Sequence, residues 1–105
     1  MEKNQDTLTR FFVEATPVIA KANISHQQFL LLNLLVQTGE GLTMREVTEN
    51  LCHTAAAATG MVDRLCDRGY VQRNTVPGDR RKIEIVATGY ARELVKEVYA
   101  LPWAK

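Results

Sequence analysis

The residues best equipped for chemistry are arginines, and they are bunched. Between residues 63 and 82 the sequence sets Arg64, Arg68, Arg73, Arg80, Arg81 and Lys82 against Asp63, Asp67 and Asp79, a local net charge of +3. Residues 1–62 carry a net −2 and residues 83–105 balance, so the chain sums to only +1. A guanidinium presents its N–H donors in a planar fork that matches phosphate oxygens. A local excess of such groups is the electrostatic footprint of a nucleic-acid surface, although the same excess also suits a solvated face. Inside this stretch, Pro77-Gly78-Asp79-Arg80-Arg81 reads as a turn with a basic tip. Asp79 is placed to orient one arginine through a charge-assisted bond, and Arg81 or Arg80 to enter a minor groove, where arginine senses width and negative potential.

Other reactive side chains are sparse. Cys52 and Cys66 do not make a disulfide framework. Cys66, with arginine neighbours, is the candidate for redox chemistry, set against the common role of a cysteine as a small buried hydrophobe. His26 and His53 have no ligand-spaced cysteine partners, so neither a metal site nor any cofactor is expected. A glycine-rich phosphate loop, a nucleophile elbow and paired carboxylates in an apolar setting are all missing from the sequence. The expectation is a binding protein, not an enzyme.

The elements that must position the arginines follow from pattern. Asp6 to Ala22 looks like an amphipathic helix interrupted at Pro17, where a kink or a fresh helical turn is expected. Ser25 and Gln28 fit a capping box opening a helix that carries Phe29, Leu30, Leu31, Leu32, Leu34, Leu35 and Val36. A helix apolar on nearly every side belongs at the centre of a core. Gly39 and Gly41 end it. Thr43 to Glu46 is a second capping box, giving a short helix 44–51, and Thr54 caps another that runs to about Arg68, with Gly69 beyond its end. Two helices joined so tightly make a helix-turn-helix. The period then changes: Tyr70–Asn74 and Lys82–Ala87 read as strands around the basic turn. Thr88 caps a last helix, with Leu94, Val95, Val98 and Leu101 on its apolar side, and Pro102 stops it.

The fold expected is mainly α with a small β-hairpin, a winged helix-turn-helix in the order α-α-α-α-β-β-α. Residues 24–88 would form the winged domain. Residues 1–23 and 89–105 would be terminal helical segments available for dimer contacts. On a wheel of 100° per residue, Ala55, Ala58, Val62, Leu65 and Gly69 face the core. Ala56, Gly60, Asp63 and Asp67 face outward, flanked by Ala57, Thr59 and Arg64. The N-terminal half of such a helix meets base edges in the major groove. Here that half is small and nearly mute: Thr59 offers one hydrogen bond and the alanines can only touch thymine methyls. Thr54, Ala56, Ala57, Thr59 and Gly60 are therefore candidate groove residues. Affinity is expected from phosphate contacts by Arg64, Arg68 or Arg73 and from the hairpin with Asp79, Arg80 and Arg81.

At 105 residues, 46% hydrophobic and 24% charged, the chain suits one globular domain. It shows neither an apolar run of about 20 residues nor a signal-peptide core, which points to the cytoplasm rather than a membrane.

Four segments carry a family likeness: Ile24 to Leu35; Leu42-Thr43-Met44-Arg45-Glu46-Val47; Thr59-Gly60-Met61-Val62-Asp63-Arg64-Leu65 with Arg68-Gly69-Tyr70-Val71-Gln72-Arg73; and the Asp-x-Arg of Pro77-Gly78-Asp79-Arg80-Arg81. Together they resemble the MarR family of winged-helix regulators over about residues 24–95. The resemblance implies a bacterial or archaeal, nucleoid-associated regulator, usually a repressor. Such a protein binds palindromic double-stranded DNA as a homodimer, with Arg81 in the minor groove and Asp79 as its partner. It also implies release from DNA by a small-molecule inducer or by cysteine oxidation. The chain departs from the pattern in Cys52 and Ala91, each where glycine is common, and in its short terminal helices. Those imply a dimer built differently, a lost dimer, or a truncated product. Leu101-Pro102-Trp103 either joins an interface or folds back on its own domain. A reading from another class is a winged helix used for protein contact, as in an antirepressor or assembly factor.

Overall fold

The computed structural model describes residues 2–105, with side chains from residue 6 onward; Met1, where the expected N-terminal segment begins, lies outside the described residues. The elements run α1 (Glu2–Lys21), α2 (His26–Thr38), β1 (Leu42–Thr43), α3 (Met44–Leu51), α4 (Ala55–Asp67), β2 (Val71–Val76), β3 (Asp79–Ala87) and α5 (Gly89–Tyr99), followed by a 3-10 turn, Pro102–Ala104.

Capping chemistry sets the helix starts. The Ser25 hydroxyl accepts from the Gln28 amide at 3.1 Å and Gln28 Oε1 accepts from the Ser25 amide at 2.7 Å. Thr43 and Glu46 repeat the exchange at 3.1 and 2.9 Å. Thr54 and Thr88 cap α4 and α5 through the amides of Ala57 and Ala91. At the far end of α2, Gly39 takes φ +68° and its amide closes on the Leu35 carbonyl, a left-handed stop that glycine adopts without strain.

Three features depart from the pattern read in the sequence. First, α1 is one helix of 20 residues that passes through Pro17. The proline removes the amide that the Val13 carbonyl would receive, but Val13 is exposed, so water can serve that oxygen. Ala15 and Ile19 hold the turns on either side in the core. Second, α2 is not buried all round: Phe29, Leu31, Leu32 and Leu35 are buried while Leu30 is half exposed. Third, the hairpin gains a partner. Leu42 and Thr43 pair with Ile85 and Glu84, so the sheet has three antiparallel strands in the order β1-β3-β2.

The strands also reach further than 70–74 and 82–87. The turn shrinks to Pro77-Gly78, with Gly78 at φ +86°, the left-handed position that follows proline in a type II turn. Pairing is regular from Val71/Ala87 to Thr75/Ile83 and then jumps to Val76/Asp79. Arg80, Arg81 and Lys82 fall inside that break, exposed and without partners in β2. One cluster of buried side chains joins α1 to α5, with Val47, Val62, Leu65, Ile85, Val95 and Val98 near its centre. Buried apolar surface of this kind supplies most of the folding free energy.

Candidate nucleic-acid interface

Thr54 is the N-cap of α4. Ala55, Ala56, Ala57 and Thr59 are exposed and Gly60 is half-buried, while Ala58, Met61, Val62 and Leu65 are buried. Two positions expected on the inner face are therefore corrected. Ala55 lies in the first turn, which projects beyond the core. Gly69 lies past the C-cap at φ +78°, where the wheel no longer applies. Met61 takes up inner surface instead.

The outer face is bare at Ala56 and Gly60 and carries charge at Asp63. Asp63 Oδ1 accepts from Arg73 Nη2 at 2.6 Å, and Arg73 Nη1 lies 3.4 Å from Cys66 Sγ. Arg73, one of the arginines expected to contact phosphate, is paired with Asp63 of α4. Its side chain and that of Asp63 remain 35% and 55% exposed, so the pair sits at the surface and stabilises the fold little. Its structural effect is to tie β2, and with it the hairpin, to the outer side of α4. Arg64 is exposed on the flank of α4, and Arg68 is half-buried.

At the hairpin tip, Asp79 bonds to Arg81 rather than Arg80. Its Oδ1 accepts from the Arg81 backbone amide at 3.1 Å and stands 3.8 Å from Arg81 Nε. The carboxylate fixes the backbone at the break and leaves the guanidinium, 95% exposed, free to reach outward. Sequence spacing found Asp79 and Arg81. It missed the Asp63–Arg73–Cys66 group, whose members are brought together only by the turn after α4.

Behind this face, Tyr70 is buried and stacks on Tyr90 at 4.7 Å between ring centres. Burial, and then the hydrogen bond with the Tyr90 hydroxyl, push the Tyr70 phenol up to about 12. Glu46 is held below the usual carboxylate value by its bonds to the Thr43 amide and hydroxyl. Trp103 folds onto its own domain, against α1 and α5. Its backbone amide donates to Glu14 Oε1 at 2.7 Å, its indole N–H to the Val98 carbonyl at 2.8 Å, and its ring meets Phe11 edge-on at 4.9 Å. The outer face of α4 is therefore not capped by the C-terminus. Among the described residues no cluster of His, Cys, Asp or Glu is placed to hold a metal ion, and no helix is long and apolar enough to cross a membrane.

A helix-turn-helix followed by a two-stranded hairpin bound to its second helix defines a winged helix-turn-helix protein. The model of the MarR family matches residues 22–82, and the chain belongs to that family. Its fold and family are those of transcriptional regulators, not enzymes. The HTH-type transcriptional regulator FarR of Neisseria gonorrhoeae is 28% identical over 82 residues, which cover 78% of this chain and 56% of FarR. The chain thus spans little more than half the length of that relative. The transcriptional regulator Tm0710 of Thermotoga maritima superimposes with a TM-score of 0.83 at 27% identity, over 91% of this chain and 67% of that one. MepR of S. aureus, in a complex with DNA, shares the fold with a TM-score of 0.78 at 18% identity, over 95% of this chain and 82% of that one.

Proposed function

We propose that this chain binds specific double-stranded DNA as a homodimer and regulates transcription, as a repressor, in the cytoplasm at the nucleoid. Residues 24–88 would dock with α4 in the major groove and the β2–β3 hairpin at the flanking minor groove. Residues 1–23 and 89–105 would supply the dimer contact. The observation that carries this reading is the break in β3: it leaves Arg80, Arg81 and Lys82 exposed on the hairpin that the Arg73–Asp63 pair joins to α4, whose outer face is bare at Ala56 and Gly60 and charged at Asp63. Short side chains let the α4 backbone approach the bases closely, and the arginines supply affinity from phosphate and groove potential. The complex of MepR with DNA supports the partner by likeness of fold. Exposed apolar side chains on α1, Leu8 and Phe12 on one face with Val13 beside it, support a second copy as the other partner. A small-molecule inducer, or oxidation of Cys66 beside Arg73, would act by moving α4 relative to the hairpin.

Fluorescence anisotropy against a pool of duplexes at two salt concentrations tests the reading. The expected result is binding that weakens steeply with salt and drops about ten-fold or more for Arg81→Ala. No retention of duplex at low salt would overturn it and favour a winged helix built for protein contact.

A further inference from the structure

A groove runs between the α1–α2 turn and the C-terminal half of α4. Asn23, Ser25, Gln28, Arg64 and Arg68 supply its polar lining, and no carboxylate lines it. Gln28 is only 7% exposed and is the one polar residue among the buried ones described. Its Oε1 accepts from the Ser25 amide at 2.7 Å. A backbone amide only donates, so the bonded atom is the oxygen and the other terminus is the NH2 group. That NH2 has no hydrogen-bond partner among the described residues, yet no fully buried side-chain polar atom is left unsatisfied. Nε2 therefore keeps a sliver of exposure, and Gln28 reaches the surface in this groove and in the cleft that continues it past Arg64. The Ser25 hydroxyl accepts from the Gln28 amide, which leaves its own proton to donate.

The surroundings favour negative charge. Ser25 is the N-cap of α2, so the helix begins on the groove, and α2 contains no Asp, Glu, Lys or Arg. Asn23 turns the chain into α2 at φ +61°, a left-handed conformation that asparagine tolerates. Arg68 is half-buried and has no ion pair among the described residues. Arg64 leans back along α4, its Nη1 3.5 Å from where a Cβ on Gly60 would stand, so Arg64 gives a wall and Arg68 the fork. The acids of α4 do not cancel that charge: Asp63 is bonded to Arg73, and Asp67 does not line the groove.

We propose that this groove binds the terminal phosphate of a small phosphate monoester, and that its occupation weakens DNA binding. Donors come from the turn, from α2 and from α4, which suits the three terminal oxygens of a monoester better than the two coplanar oxygens of a carboxylate. A phosphate of the DNA backbone is a diester. It continues into sugar on both sides and cannot be lowered onto a side chain as buried as Gln28. The site stands on these residues alone; only its effect on DNA rests on the reading above. An occupied site neutralises Arg68 and removes one counterion-releasing contact per protomer.

The test titrates methyl phosphate, dimethyl phosphate and acetate into the full chain at constant ionic strength, read by calorimetry and thermal melts. Methyl phosphate should bind saturably and raise the melting temperature; dimethyl phosphate and acetate should do neither. Gln28→Glu keeps the acceptor that caps Ser25, since glutamate also serves in a capping box, and replaces the donor with negative charge. It should abolish the response. Arg68→Gln should weaken binding about ten-fold or more, the worth of a charge-assisted hydrogen bond, and decides the matter if circular dichroism shows Gln28→Glu misfolded. Absence of saturable binding overturns the proposal, as does an equal response in wild type and Arg68→Gln. Dimethyl phosphate or acetate matching methyl phosphate also overturns it, because the groove would then fit the DNA backbone or a carboxylate. At about 0.1 M salt, saturating methyl phosphate should lower affinity for a selected duplex about eight-fold per protomer, the counterion worth of one phosphate contact. Unchanged duplex affinity overturns the regulatory half. If no duplex binds at low salt the DNA-binding reading fails, while the methyl phosphate titrations still decide the site.

Discussion

Arg81 and Arg73 carry the same charge and stand in different situations. Arg81 is 95% exposed, and Asp79 both accepts from its backbone amide and stands 3.8 Å from its Nε. Arg73 is held by Asp63 at 2.6 Å. A guanidinium already neutralised by a carboxylate releases no counterion on meeting a phosphate. Asp63→Ala should therefore steepen the salt dependence of DNA binding, with the slope of log affinity against log salt growing by about 0.9 per protomer. Measuring that slope for Asp63→Ala, alone and combined with Arg73→Gln, checks the assignment, since the second change should remove the gain. The basic tip was legible in the sequence because Asp79, Arg80 and Arg81 are contiguous beside Pro-Gly. The Asp63–Arg73 pair was not, because opposite charges ten positions apart, one on a helix and one on a strand, show no periodicity. Whether they meet depends on the length of the turn at Gly69.

Among the elements, helix starts were readable where a cap is a local exchange of hydrogen bonds, as at Ser25–Gln28 and Thr43–Glu46. Strand β1 was not readable: two residues, Leu42 and Thr43, have no pattern of their own and become a strand only because Ile85 and Glu84 lie opposite. The passage of α1 through Pro17 was hidden for a similar reason, since it depends on the exposure of Val13 and the burial of Ala15 and Ile19. Thr43→Ala should cost about 1 kcal/mol of stability in urea denaturation. The substitution should also loosen the junction of α3 with β1, because Thr43 ends β1 and caps α3. The Glu46 carboxyl is held below its ordinary 4.5, so its contribution to stability is present above that pH and is lost as the pH falls through the lowered value. Glu46→Gln, which keeps a cap acceptor but does not titrate, should show a weaker acid dependence near that pH.

Over the whole molecule, one core ties the terminal helices to the winged domain, and Tyr70 sits where they meet. Its phenol, raised from 10 to about 12, favours the folded state while it is protonated. That contribution is complete below pH 10 and is lost as the pH rises towards 12. Thermal melts should therefore hold up to about pH 10 and fall beyond it, and Tyr90→Phe, which removes the hydroxyl next to Tyr70, should change the onset. Trp103 is the only tryptophan, and its contacts with Phe11, Glu14 and Val98 close the ends of the chain on each other. Trp103→Ala should destabilise by roughly 2 kcal/mol, less than a fully buried aromatic ring would. The intrinsic fluorescence of the wild-type protein should shift to the red in step with loss of helix on denaturation.

The rung at Thr75/Ile83 closes a regular ladder beneath the hairpin tip, and the residues above it run free of the register until Val76 meets Asp79. Strand pairing below that rung does not rest on the tip alone, because Leu42 and Thr43 also hold Ile85 and Glu84 in place. Residues 76–82 thus behave as an interchangeable cassette: a longer, shorter or differently charged sequence can be grafted there without sliding one strand against the other. Relatives built on this scaffold could diversify the DNA they favour by editing seven positions while every buried side chain stays where it is.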